Sequence, residues 1–186
     1  MIKYLRLILA IPLLLLSVGC STQQTSTPSG DPELDAKARA ALQQLFNTEP
    51  RAKNLQYLAK AVLVFPDVVK AGFIAGAEDG KGVMFSADGK VVGYYTIRAI
   101  SYGLQAGGQS FSQAMFLMTD SAISYLKSSD GLSVGVGPSV VLVDEGKAKE
   151  MTSTNLQSDV YAFIYGQEGL MAGLGLQGQR IRQFNP

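Results

Sequence analysis

The chain has 186 residues, 47% of them hydrophobic, with 16 Lys and Arg against 15 Asp and Glu. That balance argues against a nucleic-acid protein, which would show a basic excess. There is one Cys and no His or Trp, which removes the usual general base, every Ser-His triad and the commonest metal ligand.

The first residues carry Lys3 and Arg6, and an apolar run from Leu7 to Leu16 follows. A basic start, a short apolar run and a small residue before a cleavage point make a secretory signal peptide over residues 1–19. The run is too short to span a bilayer, which takes roughly 20 apolar residues, and Pro12 interrupts it. Gly19-Cys20 resembles the lipobox of bacterial lipoproteins, although Ser17 stands where Leu is usual. Lipidation of Cys20 accounts for a lone thiol in a secreted chain, and several acyl chains make an anchor lasting. Losing residues 1–19 removes two bases and no acids, leaving 14 bases and 15 acids. Residues 20–32 are rich in Ser, Thr, Gln, Pro and Gly and read as a tether.

Residues 33–186 read as one domain. Leu34, Ala38, Ala41, Leu42, Leu45 and Phe46 recur at helical spacing, with Asp31 as cap and Pro32 at the first helical position. A second helix starts at Pro50 behind Thr48 or Glu49, with Leu55, Leu58, Ala59 and Val62 as its apolar face. Phe65-Pro66 stops it or turns it into an extended piece. From Lys70 onward, glycines and the pairs Asp79-Gly80, Asp88-Gly89, Asp130-Gly131 and Glu145-Gly146 punctuate strand-like stretches. The expected strands are 71–77, 82–86, 90–99, 101–108, 111–118, 132–137, 139–143, 159–166 and 169–178. A helix is expected over 119–127, capped by Thr119 or Asp120. The fold class is therefore α+β: N-terminal helices on a strongly curved, barrel-like antiparallel sheet, with one further helix.

Gly173-Leu174-Gly175-Leu176-Gln177-Gly178 matches G-x-G-x-x-G, but a dinucleotide site needs a following helix and a second parallel strand. Eight residues remain after Gly178, so those glycines are assigned to a strand. Glu78-Asp79, Asp88, Asp130, Asp144-Glu145 and Glu168 all read as turn carboxylates. Residues 51–70 hold Arg51, Lys53, Lys60 and Lys70 against Asp67, beside an amphipathic helix. A basic rim next to apolar groups suits an anionic membrane surface; ordinary solvated lysines give the same pattern.

The chain resembles the SYLF domain family, found in bacterial envelope lipoproteins and eukaryotic membrane-traffic proteins. The resemblance rests on Lys60-Ala61-Val62-Leu63-Val64-Phe65-Pro66, Lys70-Ala71-Gly72-Phe73 and Gly82-Val83. It continues through residues 101–109, Leu117-Met118-Thr119-Asp120, Ala122, Gly137-Pro138, Tyr161 and residues 169–173. It runs from about Ala36 to Ile181. It implies lipid binding involving the N-terminal amphipathic helix, with phosphoinositide preference and some actin binding in eukaryotic members. Lys60 and Lys70 lie within the matched motifs and become the headgroup candidates. Arg51 and Lys53 join them on charge and helix position. Where eukaryotic members often have a basic turn, this chain has Gln167-Glu168.

The expectation is a non-catalytic lipoprotein on the periplasmic side of the envelope. Ser21 is not the aspartate that retains enterobacterial lipoproteins in the inner membrane, so the outer membrane is expected. The partner is phospholipid; no metal, cofactor or nucleic acid is expected. A scaffold that binds an envelope protein is the second reading. A carboxylate-based envelope hydrolase using residues such as Asp120 and Glu168 is the third.

Overall fold

Asp31 opens the first helix as expected. Its carboxylate accepts from the Leu34 amide at 3.0 Å, and Pro32, which has no amide hydrogen to satisfy, starts α1 (Pro32–Thr48). Leu34, Ala38, Ala41, Leu42 and Leu45 are its buried stripe. Glu49 caps α2 (Pro50–Leu58) by accepting from the Arg51 amide. The computed structural model describes residues 30–102, 107–128, 130–143, 156–169 and 178–186. The leader, Cys20 and the tether up to residue 29 lie outside the described residues, as do Glu145-Gly146 and residues 173–177 of the glycine motif.

The second helix is shorter than its apolar spacing suggests. It ends at Leu58, and Ala61–Gly72 forms β1. Ala61, Val62, Leu63, Val64 and Phe65 are all at most 3% exposed, buried on both faces of a sheet. Such a run has no period-two signature, so periodicity alone cannot separate it from a helix. Pro66 sits at a bulge, where pairing slips between Val64 and Asp67 on one side and Phe65 and Val68 on the other. That location lets a residue without an N–H occupy an interior strand.

The remaining strands are β2 (Ala75–Ser86), β3 (Val91–Tyr102), β4 (Gly107–Leu117), β5 (Leu132–Ser133), β6 (Val140–Leu142), β7 (Val160–Gly169) and β8 (Arg180–Phe184), with α3 (Asp120–Lys127) after β4. They form one sheet in the order β5-β8-β3-β2-β1-β4-β7-β6, antiparallel except for the β6–β7 pair. Asp79-Gly80 is not a turn. Both lie inside β2, which runs through the two shorter pieces expected there. The reversal between β1 and β2 is instead made at Phe73-Ile74. Thr119, not Asp120, caps α3 by accepting from the Ala122 amide at 3.3 Å.

The sheet is a strongly curled half-barrel. Gln179, next to β8, pairs with Gln113 of β4 through two amide hydrogen bonds of 3.1 Å each. Four strand-to-strand steps separate β8 from β4, about 19 Å in a flat sheet. Contact across them requires curling, with Gln113 on the inside. Leu63, Phe65, Val68, Met84, Tyr95, Ile97, Phe111 and Met115 fill this concave side together with Ala122 and Leu126 of α3. Gly82 permits the tight bend: a Cβ there would stand 2.5 Å from Phe65 Cδ1 and 2.6 Å from the Val64 carbonyl oxygen. Helices α1 and α2 pack on the convex side against Val62, Val64, Val83, Phe85, Ala114 and Phe116.

Candidate functional site

The cations singled out in the sequence occupy two places. Lys60 precedes β1, its amide bonded to the Leu117 carbonyl. Its ammonium pairs with Asp120, with 47% and 80% of the two side chains exposed. Arg51 is half-buried and Lys53 exposed on α2, whose outer side also presents Tyr57 and Leu58, 77% and 50% exposed. Helix α2, with Arg51 and Lys53, leads directly into Lys60 and the start of β1. Lys70 lies ten residues along the same strand from Lys60, on the order of 30 Å away at strand rise. One headgroup therefore does not touch both.

Lys70 is also inside. Counting by twos from Val68 puts it on the concave side, where it is 9% exposed. Its cross-strand neighbours are Glu78 and Gln109, and with Gln113 and Gln179 these make a buried polar group. The Gln179 amide donates to Glu78 Oε1 at 2.6 Å. Burial pushes the Glu78 carboxyl above its ordinary value, opposed by that hydrogen bond and by the Lys70 charge. Among the described residues, the Gln109 amide nitrogen and the Tyr95 hydroxyl are buried with no hydrogen-bond partner. Burial raises Tyr95 as well.

The sequence reading of Glu78 as a turn carboxylate is corrected: it is 5% exposed within a strand. The legible signal was the alternation Gly76-Glu78-Gly80-Gly82, which places one carboxylate among glycines on a single strand face. The carboxylates considered for hydrolysis are not brought together. Asp120 follows the end of β4, whereas Glu168 neighbours its start through Ser110. A cleft of about 430 Å³ between the end of α1 and the β4–β7 pair is lined by Asp67 and Glu168 with Gln44, Ser110 and Ser112. Two carboxylates make it unsuited to an anion. Among the described residues, no three His, Cys, Asp or Glu gather to hold a metal, and no helix is long and apolar enough to cross a membrane.

One feature escaped the sequence reading altogether. Phe73, Ile74, Ile100 and Val69 are 70%, 64%, 67% and 51% exposed. All four lie at the β1–β2 turn or on the adjoining strand ends, beyond the reach of α1 and α2. The clue was an apolar pair, Phe73-Ile74, at a chain reversal where polar turn residues are usual.

Residues 98–185, just under half of the chain, match the family described as Ysc84: Las17-binding protein actin regulator. The family resemblance read from the sequence is borne out over these residues. The Lys60 and Lys70 motifs lie before the matched stretch. The family is associated with lipid and actin binding. No curated protein matches the chain.

Proposed function

We propose that this chain, whose residues 98–185 carry a Ysc84 (SYLF) domain, is a non-catalytic lipoprotein that binds the surface of an anionic phospholipid bilayer. The observation that carries the reading is the exposed apolar end, Phe73, Ile74, Ile100 and Val69. Scattered apolar residues on a surface need no explanation, whereas a cluster at one end marks an interaction site. Signal-peptide cleavage before Cys20, its lipidation and a periplasmic place on the outer membrane complete the proposal, supported by the leader and Gly19-Cys20. The test is vesicle co-flotation of the chain from residue 20 with Cys20→Ser, so that no acyl chain does the binding. Salt-sensitive flotation with anionic vesicles and none with neutral ones is the expected result. Absence of flotation with either leaves the anchor as the membrane contact and removes the reading.

A second reading, an envelope scaffold that docks a protein, is favoured by Tyr57 and Leu58 on α2, exposed beside Lys53. The family description names a protein partner, Las17, and actin regulation. A protein captured in a way that Tyr57→Ser abolishes, with no vesicle binding, would support it over the first.

A further inference from the structure

The convex side of the sheet beyond the helices is ordered in rows by strand pairing. The first row runs Asp67, Lys81, Thr96, Arg182 across β1, β2, β3 and β8. The next runs Val69, Asp79, Arg98, Arg180. The third is Ala71, Ala77, Ile100, and the chain then turns at Phe73-Ile74. Every residue of these rows is exposed except the half-buried Thr96. Four cations and two carboxylates give the first two rows a net charge of +2, while the third row and the turn are wholly apolar. Arg98 pairs with Asp79 at 2.8 Å; Arg180 and Arg182 lie on the β8 side of that pair. Glu168 aligns with the second row only through Ser110, two strands beyond Val69.

We infer that the domain stands on a membrane by this end: Phe73 and Ile74 enter the acyl boundary while Lys81, Arg98, Arg180 and Arg182 meet anionic headgroups. The proposal rests on the lipid-binding reading and names its surface. Spacing supports it. Side chains two apart on a strand face stand about 7 Å apart along it, so a cationic row lies one step behind an apolar row and two behind the tip. A tip buried roughly 5–10 Å leaves that row, about 14 Å behind it, at the level of the headgroups. A protein partner has no need of cations graded by depth; a bilayer with anionic headgroups does.

The anchor is compatible with the same membrane. The described chain begins at Gly30, where a Cβ would be 2.9 Å from the Tyr94 hydroxyl. Tyr94 pairs with Val83, eight residues of β2 from Ala75, about 26 Å along the strand. Ten residues from Cys20 to Gly30 reach at most about 35 Å. An acylated Cys20 and the hairpin tip therefore reach one bilayer together, while α2 ends at Leu58, just before β1 and so at the far end of that strand from the tip.

The chain has no tryptophan, so a single introduced indole reports one place. The experiment uses the chain from residue 20 with Cys20→Ser, carrying either Phe73→Trp or Tyr57→Trp, with phosphatidylglycerol-containing vesicles that include brominated acyl chains. Both sites are exposed, and circular dichroism confirms the fold of each variant. The expected result is blue-shifted emission and bromine quenching at position 73 and neither at position 57. Phe73→Ser with Ile74→Ser lowers vesicle affinity on the order of tenfold or more. Arg180→Glu with Arg182→Glu lowers it on the order of tenfold for anionic vesicles, and salt removes the difference. Vesicle binding with quenching at 57 alone, or at neither site, overturns the proposed surface while the lipid reading stands. Unchanged affinity in the folded Phe73→Ser, Ile74→Ser variant overturns it too. No vesicle binding by the parent chain overturns both.

Discussion

Replacing Gln179 with Ala tests whether the amide bridge across the half-barrel holds its curl. Gln179 makes three hydrogen bonds, two in the reciprocal pair with Gln113 and one to Glu78. The three residues are 1%, 0% and 5% exposed, so bulk water does not replace the lost partner. Each neutral hydrogen bond contributes about 1 kcal/mol net, and a buried group left without a partner costs about 1–3 kcal/mol. Among the described residues, Gln113 loses the side chain it pairs with, and Glu78 loses the donor that opposes its desolvation. The expected destabilisation is about 3–5 kcal/mol, a large share of the roughly 5–15 kcal/mol that holds a domain folded. Urea unfolding followed by far-ultraviolet circular dichroism measures it, as a lower midpoint at constant slope. A cycle sharpens the test. Gln113→Leu and Gln179→Leu together should cost less than the sum of the two single changes by at least about 1 kcal/mol, because neither amide is then orphaned. Strict additivity, or a loss below about 0.5 kcal/mol for Gln179→Ala, would refute the bridge as a structural element.

Three further outcomes are expected. Gly131 has φ +70°, and a Cβ there would stand 2.1 Å from the carbonyl oxygen of Ile181, a fully buried residue of β8; Gly131→Ala should destabilise by about 2–4 kcal/mol from strain and overpacking combined, read as a lowered melting temperature. Glu78 is raised above its ordinary value of 4.5, so in the window from 4.5 up to its folded value the native state holds more protons than the unfolded chain and stability falls as pH rises. Glu78→Gln should remove that decline, and a stability difference between the two proteins that stays constant through the window would refute it. Lys60→Ala breaks an exposed pair with Asp120 and should change stability by less than about 1 kcal/mol and leave vesicle affinity unchanged; a tenfold loss of affinity would return Lys60 to the lipid site.

Charge alone made all four sequence candidates equivalent. The structure separates them because β1 is extended: ten residues that would span about 15 Å in a helix span on the order of 30 Å in a strand. Lys70 then falls on the inward side of a bulged strand and Lys60 beside the start of α3. The bulge at Pro66 shifts the inside–outside alternation by one position, and no local pattern announces it.

The first helix was fully legible because its information is local: a capping carboxylate, a proline with no amide to satisfy and an apolar stripe. The start of α3, with its cap left between Thr119 and Asp120, and the Asp88-Gly89 turn were legible for the same reason, and so was the α+β class. Tertiary structure decided the rest. That the sheet curls was expected from the sequence and is borne out; which strands meet across it, through Gln113 and Gln179 four steps apart, was decided by tertiary structure. Whether Glu78 is solvated or buried depends on that curl, as does the apolar end left uncovered by helices that reach only part of the sheet. Local sequence sets the torsion angles and caps of each element; which side chains lose water depends on neighbours distant along the chain, and burial is a property of the assembled sheet.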